Sequence, residues 1–168
     1  MKKFVGTLFC LLICVGAFCQ QDIPSLVEGM KTGNLSFNFK FRASGRTFPA
    51  MSGSLSIQGK SFSANFAGQR IISDGNTLWT ILDPQEEIYI ENAAPLPAFI
   101  YDSRQLMKML SNLSYSDGGI SGTFTAAGGG QSFDFEISGI RVGPPLPSSG
   151  FKVNTREFGD SWVITDLR

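Results

Sequence analysis

The sequence predicts a mainly β protein of the α+β class: an antiparallel, strongly curved sheet of about eight or nine strands with two helices on its concave side. Three observations lead there. Apolar residues alternate with polar ones over most of the chain, as in "LSFNFKFRA" from Leu35 to Ala43. Turn residues separate these runs at hairpin spacing, and only two stretches carry a helical period. No strand–helix–strand rhythm is present, so nothing in the sequence builds a parallel sheet.

The first element is helical. In "DIPSLVEGMKTG", Ile23, Leu26, Val27 and Met30 fall on one helical face, Asp22 can cap, Pro24 suits the first turn and Gly33 ends the pattern. The period then becomes two. Leu35, Phe37, Phe39 and Phe41 alternate with Ser36, Asn38, Lys40 and Arg42, and "GSLSIQG" and "SFSANF" repeat the pattern with Leu55, Ile57, Phe62, Ala64 and Phe66. "QGKS" joins the last two at hairpin length. In "QRIISDGNTLWTIL" the Asp74-Gly75 pair reads as a type I′ turn between two strands, because both residues tolerate positive φ. Those strands and "EIYIE" have little polar face, which predicts cover on both sides. A second helix is expected from a cap at Asp102 or Ser103, with Leu106, Met109, Leu110 and Leu113 as its apolar stripe. Strands resume at "GISGTFTAA" and "SFDFEISGIRV", "GPPLPSSG" is an irregular loop, and "SWVITDL" is the last strand.

The N-terminal residues 1–19 have the layout of a secretory signal peptide: Lys2 and Lys3, an apolar run from Phe4 to Val15, then small residues. Cleavage near Cys19-Gln20 leaves residues 20–168 as one exported domain, expected in the periplasm. A lipid anchor at Cys19 is the alternative, since Gly16 and Ala17 precede it, but the bulky Phe18 argues against it. All three cysteines, Cys10, Cys14 and Cys19, lie in the leader, so the remaining chain has neither disulfide nor thiolate chemistry.

Composition removes several functions. The chain has no histidine, which excludes a Ser-His-Asp triad, a histidine-ligated metal and a switch near neutral pH. Lys+Arg and Asp+Glu balance at 14 each without runs, so no basic field for nucleic acid is present. Gly128 to Gly130 are not a phosphate loop, because no helix or Lys-Ser/Thr follows. Glu87 and Glu91 share a strand face away from Glu86 and read as solvated carboxylates rather than an acid–base pair. No catalytic residue, no cofactor and no metal is expected.

The run "IISDGNTLW" followed by "EEIYIE" resembles the signature hairpin of the LolA-like periplasmic lipoprotein carrier family, in which an apolar pair precedes Ser/Asp-Asp-Gly-Lys-Thr-Leu-Trp. The matching residues are Ile71, Ile72, Ser73, Asp74, Gly75, Thr77, Leu78 and Trp79. "GSLSIQGKSFSANF" is similar to the preceding family strands, and "VITDLR" to the tail of compact Bacteroidetes-type members. The resemblance is strongest over residues 50 to 91. It implies an incomplete β-barrel with a helical lid over an apolar cavity for acyl chains, and a carrier that delivers lipoproteins from an inner-membrane release transporter to an outer-membrane acceptor. The same architecture also serves envelope sensors and interaction modules that respond to lipid. The better-studied carriers latch the lid through an arginine near the position of Gly59, a donor this chain lacks, and residues 113 to 150 form a shorter region than theirs.

Alternating phenyl rings by themselves fill a closed core more often than they line a hollow. The resemblance points the other way. On it, the acyl-chain site comprises Phe37, Phe39, Phe41, Leu55, Ile57, Phe62, Phe66, Trp79, Leu106, Leu110, Phe124, Phe133 and Phe135, with Ala64 and Gly122 as small residues that could leave room. Met30, Met107 and Met109 supply adaptable packing on the helices. The chain is expected to act as a monomer.

Overall fold

The computed structural model describes residues 22–43, 50–116, 118–125 and 131–168. The leader, Cys19 and the Gly128 to Gly130 turn lie outside the described residues.

Helix α1 (Ile23–Thr32) opens the fold. The Asp22 carboxylate accepts from the Ser25 N–H at 2.9 Å, which satisfies one of the free donors of the first turn. Gly33 ends it, its N–H donating to the Gly29 carbonyl at 2.8 Å. A Cβ at Gly33 would strike the Gly143 carbonyl, so only glycine lets the chain turn here into the sheet.

Ten strands follow: β1 (Asn34–Ala43), β2 (Met51–Gln58), β3 (Ser61–Phe66), β4 (Gln69–Ser73), β5 (Thr77–Leu82), β6 (Glu87–Asn92), β7 (Leu110–Ser116), β8 (Gly119–Thr125), β9 (Ser132–Gly143) and β10 (Val163–Asp166). Helix α2 (Ser103–Met109) stands between β6 and β7. The strands form one sheet in the order β10-β6-β5-β4-β3-β2-β1-β9-β8-β7. Its two outer strands do not pair with each other, so the sheet is not closed. All neighbours are antiparallel except β10 and β6, which run parallel. The closing strand was legible as an element; its parallel pairing requires a long return path that residues 144–162 supply.

Two expectations fail locally. The second helix stops at Met109, and Leu110 and Leu113 belong to β7. The cause is a bulge: pairing with β8 shifts between Ser111 and Ser114, and Asn112 takes a left-handed φ of 52°. One extra residue puts Leu110 and Leu113, three apart, on the same strand face and so imitates helical spacing. The second failure is the Asp74-Gly75 turn. Ser73 pairs with Leu78, the central residues are Gly75 and Asn76, and of these only Gly75 has positive φ, at 91°. This Gly-first arrangement matches a type II′ rather than a type I′ turn. The type I′ pattern occurs one hairpin earlier, where Ala67 (φ 50°) and Gly68 (φ 76°) join β3 to β4.

Strand register sorts the side chains onto two faces. On the helix face, Ile23, Leu26, Val27 and Met30 of α1 pack onto Leu35, Phe39, Ile57, Ile120, Phe135 and Ile137. On the far face, Trp79, Ile81, Ile88 and Ile90 form a separate cluster covered by Ile72, Val153, Phe158 and Trp162. The apolar character thus changes sides along the sheet: β1–β3 and β7–β9 are apolar towards the helices, whereas β5 and β6 are most deeply buried on the opposite side. The C-terminal segment is held there by Arg70, which donates to both Asp83 carboxylate oxygens (2.9 and 2.7 Å) and lies 5.9 Å from the Phe158 ring centroid.

Candidate apolar binding face

The candidate site is the helix face beyond the footprint of α1. Cross-strand register fixes its layout. Phe37 lies opposite Leu55 and Phe41 opposite Phe135, while Ile57 faces Phe62 and Phe124 faces Phe133. Residues directly opposite share a face, so the alternation read from the sequence becomes one apolar wall spanning β1, β2, β3, β8 and β9. Phe39 stacks at 5.2 Å from Phe41 and 6.3 Å from Phe66, centroid to centroid. Phe39, Ile57 and Phe135 are buried. Phe37, Phe41, Leu55, Phe62, Phe66, Phe124 and Phe133 are only half-buried, although each is a large apolar side chain.

A strap crosses this wall. It runs from Leu96 through a single 3₁₀ turn (Ala98–Tyr101) into α2, and Leu96, Ile100, Tyr101 and Leu106 pack on the cluster beneath. At one end Phe99 sits 6.1 Å from Phe124. At the other the Tyr101 hydroxyl donates to the Gly59 carbonyl at 2.9 Å. The Gly59 N–H in turn donates to the Met30 carbonyl at 2.9 Å, so the β2–β3 turn fastens both the strap and the end of α1. Partial burial raises the Tyr101 phenol, which therefore stays protonated and remains a donor. The strap's helix is capped by the Asp102 carboxylate, which accepts from the N–H groups of Gln105 and Arg104 at 3.2 and 2.9 Å; these bonds hold the carboxyl below the usual carboxylate range.

Of the site residues read from the sequence, all but Trp79 lie on or over this face. Trp79 is a correction. It pairs with Ile72 and Ile90, is 8% exposed and belongs to the far-face cluster, on the other side of the sheet from Phe62. The one-residue parity of β5 decides this: Leu78 and Thr80 face the helices, and Trp79 cannot. Leu110 keeps its place on the face but as the first residue of β7. Sequence reading missed Leu96, Ile100, Tyr101, Leu113, Tyr115 and Ile140, all packed on the same cluster. Tyr115 could have been found from the alternation of "LSYS" once the bulge was recognised. Tyr101 had no such signal, because its partner is a backbone carbonyl 42 residues away.

Gly122, on this wall, and Gly53 beside it are tightly surrounded. A Cβ at Gly122 would lie 3.0 Å from Leu113 Cδ2 and 3.1 Å from the Phe135 ring, and one at Gly53 would lie 2.7 Å from Phe66 Cβ and 2.9 Å from the Phe39 ring. The nearest atom in each case is a backbone carbonyl oxygen, of Ser111 at Gly122 and of Asn65 at Gly53, so strand backbone and side chains close these positions together.

Charge is sparse on this wall. Glu87 and Glu91 lie on its outer margin with Tyr89, whose hydroxyl donates to Glu87 at 2.8 Å and is raised by that bond. Asp74 serves its turn: partial burial opposes its ionisation, but the N–H groups of Thr77 and Asn76, with Lys152, outweigh this and hold it low. Among the described residues no group of acidic, cysteine or histidine side chains could hold a metal, and no helix is long and apolar enough to cross a membrane.

No protein-family model matches the chain, and no curated protein does. Among solved structures it is similar to an uncharacterized conserved protein from Thermus thermophilus, with a TM-score of 0.52 and 11% identity over 86% of this chain and 96% of that one. That likeness shows the fold: an open, mostly antiparallel sheet accompanied by helices.

Proposed function

We propose that the protein is an exported LolA-like carrier that takes acyl chains onto the helix face beneath the strap, shields them from water and passes lipoproteins towards the outer membrane. In this reading the sheet curves around its two helices as an incomplete barrel, and α2 with its 3₁₀ turn is the lid. The leader-like residues 1–19 support export, and the hairpin "IISDGNTLW" supports the family. The observation that carries the proposal is the row of half-buried phenyl rings under a strap pinned to the sheet by one hydroxyl–carbonyl bond.

The energetics suit reversible loading. Each methylene removed from water contributes about 0.8 kcal/mol, so a single acyl chain offsets the loss of the Tyr101–Gly59 bond, worth about 1 kcal/mol net. Release needs an acceptor that presents comparable apolar surface, because returning each methylene to water costs what its burial gained. An inner-membrane release transporter supplies the cargo and an outer-membrane acceptor receives it. The hydroxyl of Tyr101 replaces the arginine latch of better-studied carriers by reversing the geometry: the lid donates and the β2–β3 turn accepts.

Native mass spectrometry of the purified protein tests the proposal. Retained acyl lipid, displaced by added fatty acid, is the expected result. A bare mass that gains no fatty acid on titration would overturn the carrier reading.

A further inference from the structure

The two edges of the sheet are built differently. β7 is interrupted by its bulge at Asn112 and shows Ser111, Ser114 and Ser116 to solvent, the features of an edge protected from further pairing. β10 is short but carries no bulge. Val163, Ile164, Thr165 and Asp166 pair in unbroken register with Glu87, Ile88, Tyr89 and Ile90. Val163 is 58% exposed, Ile164 44% and Leu167 59%.

Its outer backbone is free in a defined pattern. The Val163 N–H donates to Glu86 and the Leu167 N–H to Ile90, each at 2.8 Å. In a parallel ladder alternate residues turn both backbone groups to one neighbour, so residues 163, 165 and 167 serve β6, and the N–H and C=O of Ile164 and Asp166 point away from the sheet.

We propose that a second copy of this chain adds its own β10 to this edge, antiparallel and centred on Thr165, to give a two-fold symmetric dimer with a continuous sheet. A two-fold contact must be self-complementary, and this register is. Ile164 and Asp166 of the second copy exchange backbone hydrogen bonds reciprocally, which uses the outward groups of both residues. On the helix face Val163 meets Leu167 of the other copy at both ends, so the two most exposed apolar side chains of the edge cover one another. Centring on Ile164 instead would set Val163 against Thr165 and leave Leu167 against the polar turn at Ser161. Charges also permit self-pairing. Asp166 is neutralised within its own chain by Arg168, with contacts of 2.6 and 2.9 Å, and lies opposite an isoleucine, so no like charges meet. The dimer leaves the candidate binding face open, since that face lies at the other end of the strand order.

Sedimentation velocity from about 1 μM to about 1 mM tests the association. A concentration-dependent dimer is expected, and Val163→Lys with Leu167→Lys should weaken it at least about tenfold while far-UV circular dichroism is unchanged. If that variant fails to fold, cysteine scanning decides. In a chain with Cys10, Cys14 and Cys19 replaced by serine, Thr165→Cys should form a disulfide-linked dimer under mild oxidation, because Thr165 faces its own copy. Ile164→Cys should not, because it faces Asp166. A monomer at every concentration, a dimer untouched by the two lysines, or cross-linking that favours Ile164→Cys each overturns the proposal.

Discussion

Tyr101 and Gly59 show how one residue pair can govern an apolar site. The phenol ties the strap to the β2–β3 turn, and Leu96, Ile100 and Leu106 add packing on the cluster beneath. Tyr101→Phe keeps that packing and removes the donor. We expect a loss of about 1 kcal/mol, faster hydrogen exchange over residues 98–109, and quicker uptake of a fluorescent fatty acid with affinity raised about fivefold, because loading no longer breaks the bond. An unchanged exchange rate would show that packing alone holds the strap. Gly53 tests the opposite property. A Cβ there would strike the Asn65 carbonyl oxygen and crowd Phe66 Cβ and the Phe39 ring, so Gly53→Ala should destabilise the fold by about 1–3 kcal/mol. Chemical denaturation measures this directly. At this scale the sequence was informative about the wall and silent about the tie. Period-two phenylalanines identify themselves, whereas a tyrosine bonding a distant carbonyl has no local signature.

Among the elements, the α2–β7 junction explains what a linear reading can and cannot see. The cap at Asp102 was legible because an acidic residue precedes a helical pattern, and it functions as expected. The helix end was not legible, because the bulge at Asn112 spaces Leu110 and Leu113 as a helix would. Trp79 was placed on the wrong face for a related reason. In "TLWTIL" the apolar residues come in adjacent pairs, Leu78 with Trp79 and Ile81 with Leu82, so alternation alone cannot assign parity; the pairing of Ser73 with Leu78 does. The caps also predict a pH response. The carboxyls of Asp22 and Asp102 are held below their ordinary value of 3.8, the first by its bonds to Ser25 and the second by its backbone bonds to Gln105 and Arg104. A depressed folded-state value means the stabilisation is complete above the unfolded-state value and is lost as pH falls through the folded one. Thermal stability should therefore decline below about pH 4. Asp102→Asn retains an acceptor for the cap and should flatten the strap's share of that decline, read as hydrogen exchange in α2 between about pH 4 and pH 2.5.

The described residues form one sheet with two apolar clusters on opposite faces, and this division separates structure from the proposed activity. The far-face cluster of Trp79, Ile81, Ile88 and Ile90 is closed by the C-terminal segment, pinned through Arg70, Asp83 and Phe158. Among the described residues the helix face is covered by α1 and the strap. Fold class, the first helix and most strands could be read from period and turn residues, since those are local properties. The change of apolar side between β3 and β5, and the return of the chain to form β10, are properties of three-dimensional pairing and left no local trace. Arg70→Ala should lower the thermal midpoint by a few degrees without altering fatty-acid binding, because it loosens only the far side.

The most direct test of the account is binding of an environment-sensitive fluorescent fatty acid to the native protein and to two variants of matched charge, Phe62→Glu on the helix face and Ser54→Glu on the exposed far face. Phe62 packs on the helix-face cluster, whereas Ser54 points to the other side of β2. The account predicts saturable binding by the native chain, its loss in Phe62→Glu and its retention in Ser54→Glu, with all three folded by circular dichroism. No binding by the native chain, or equal loss in both variants, would contradict it.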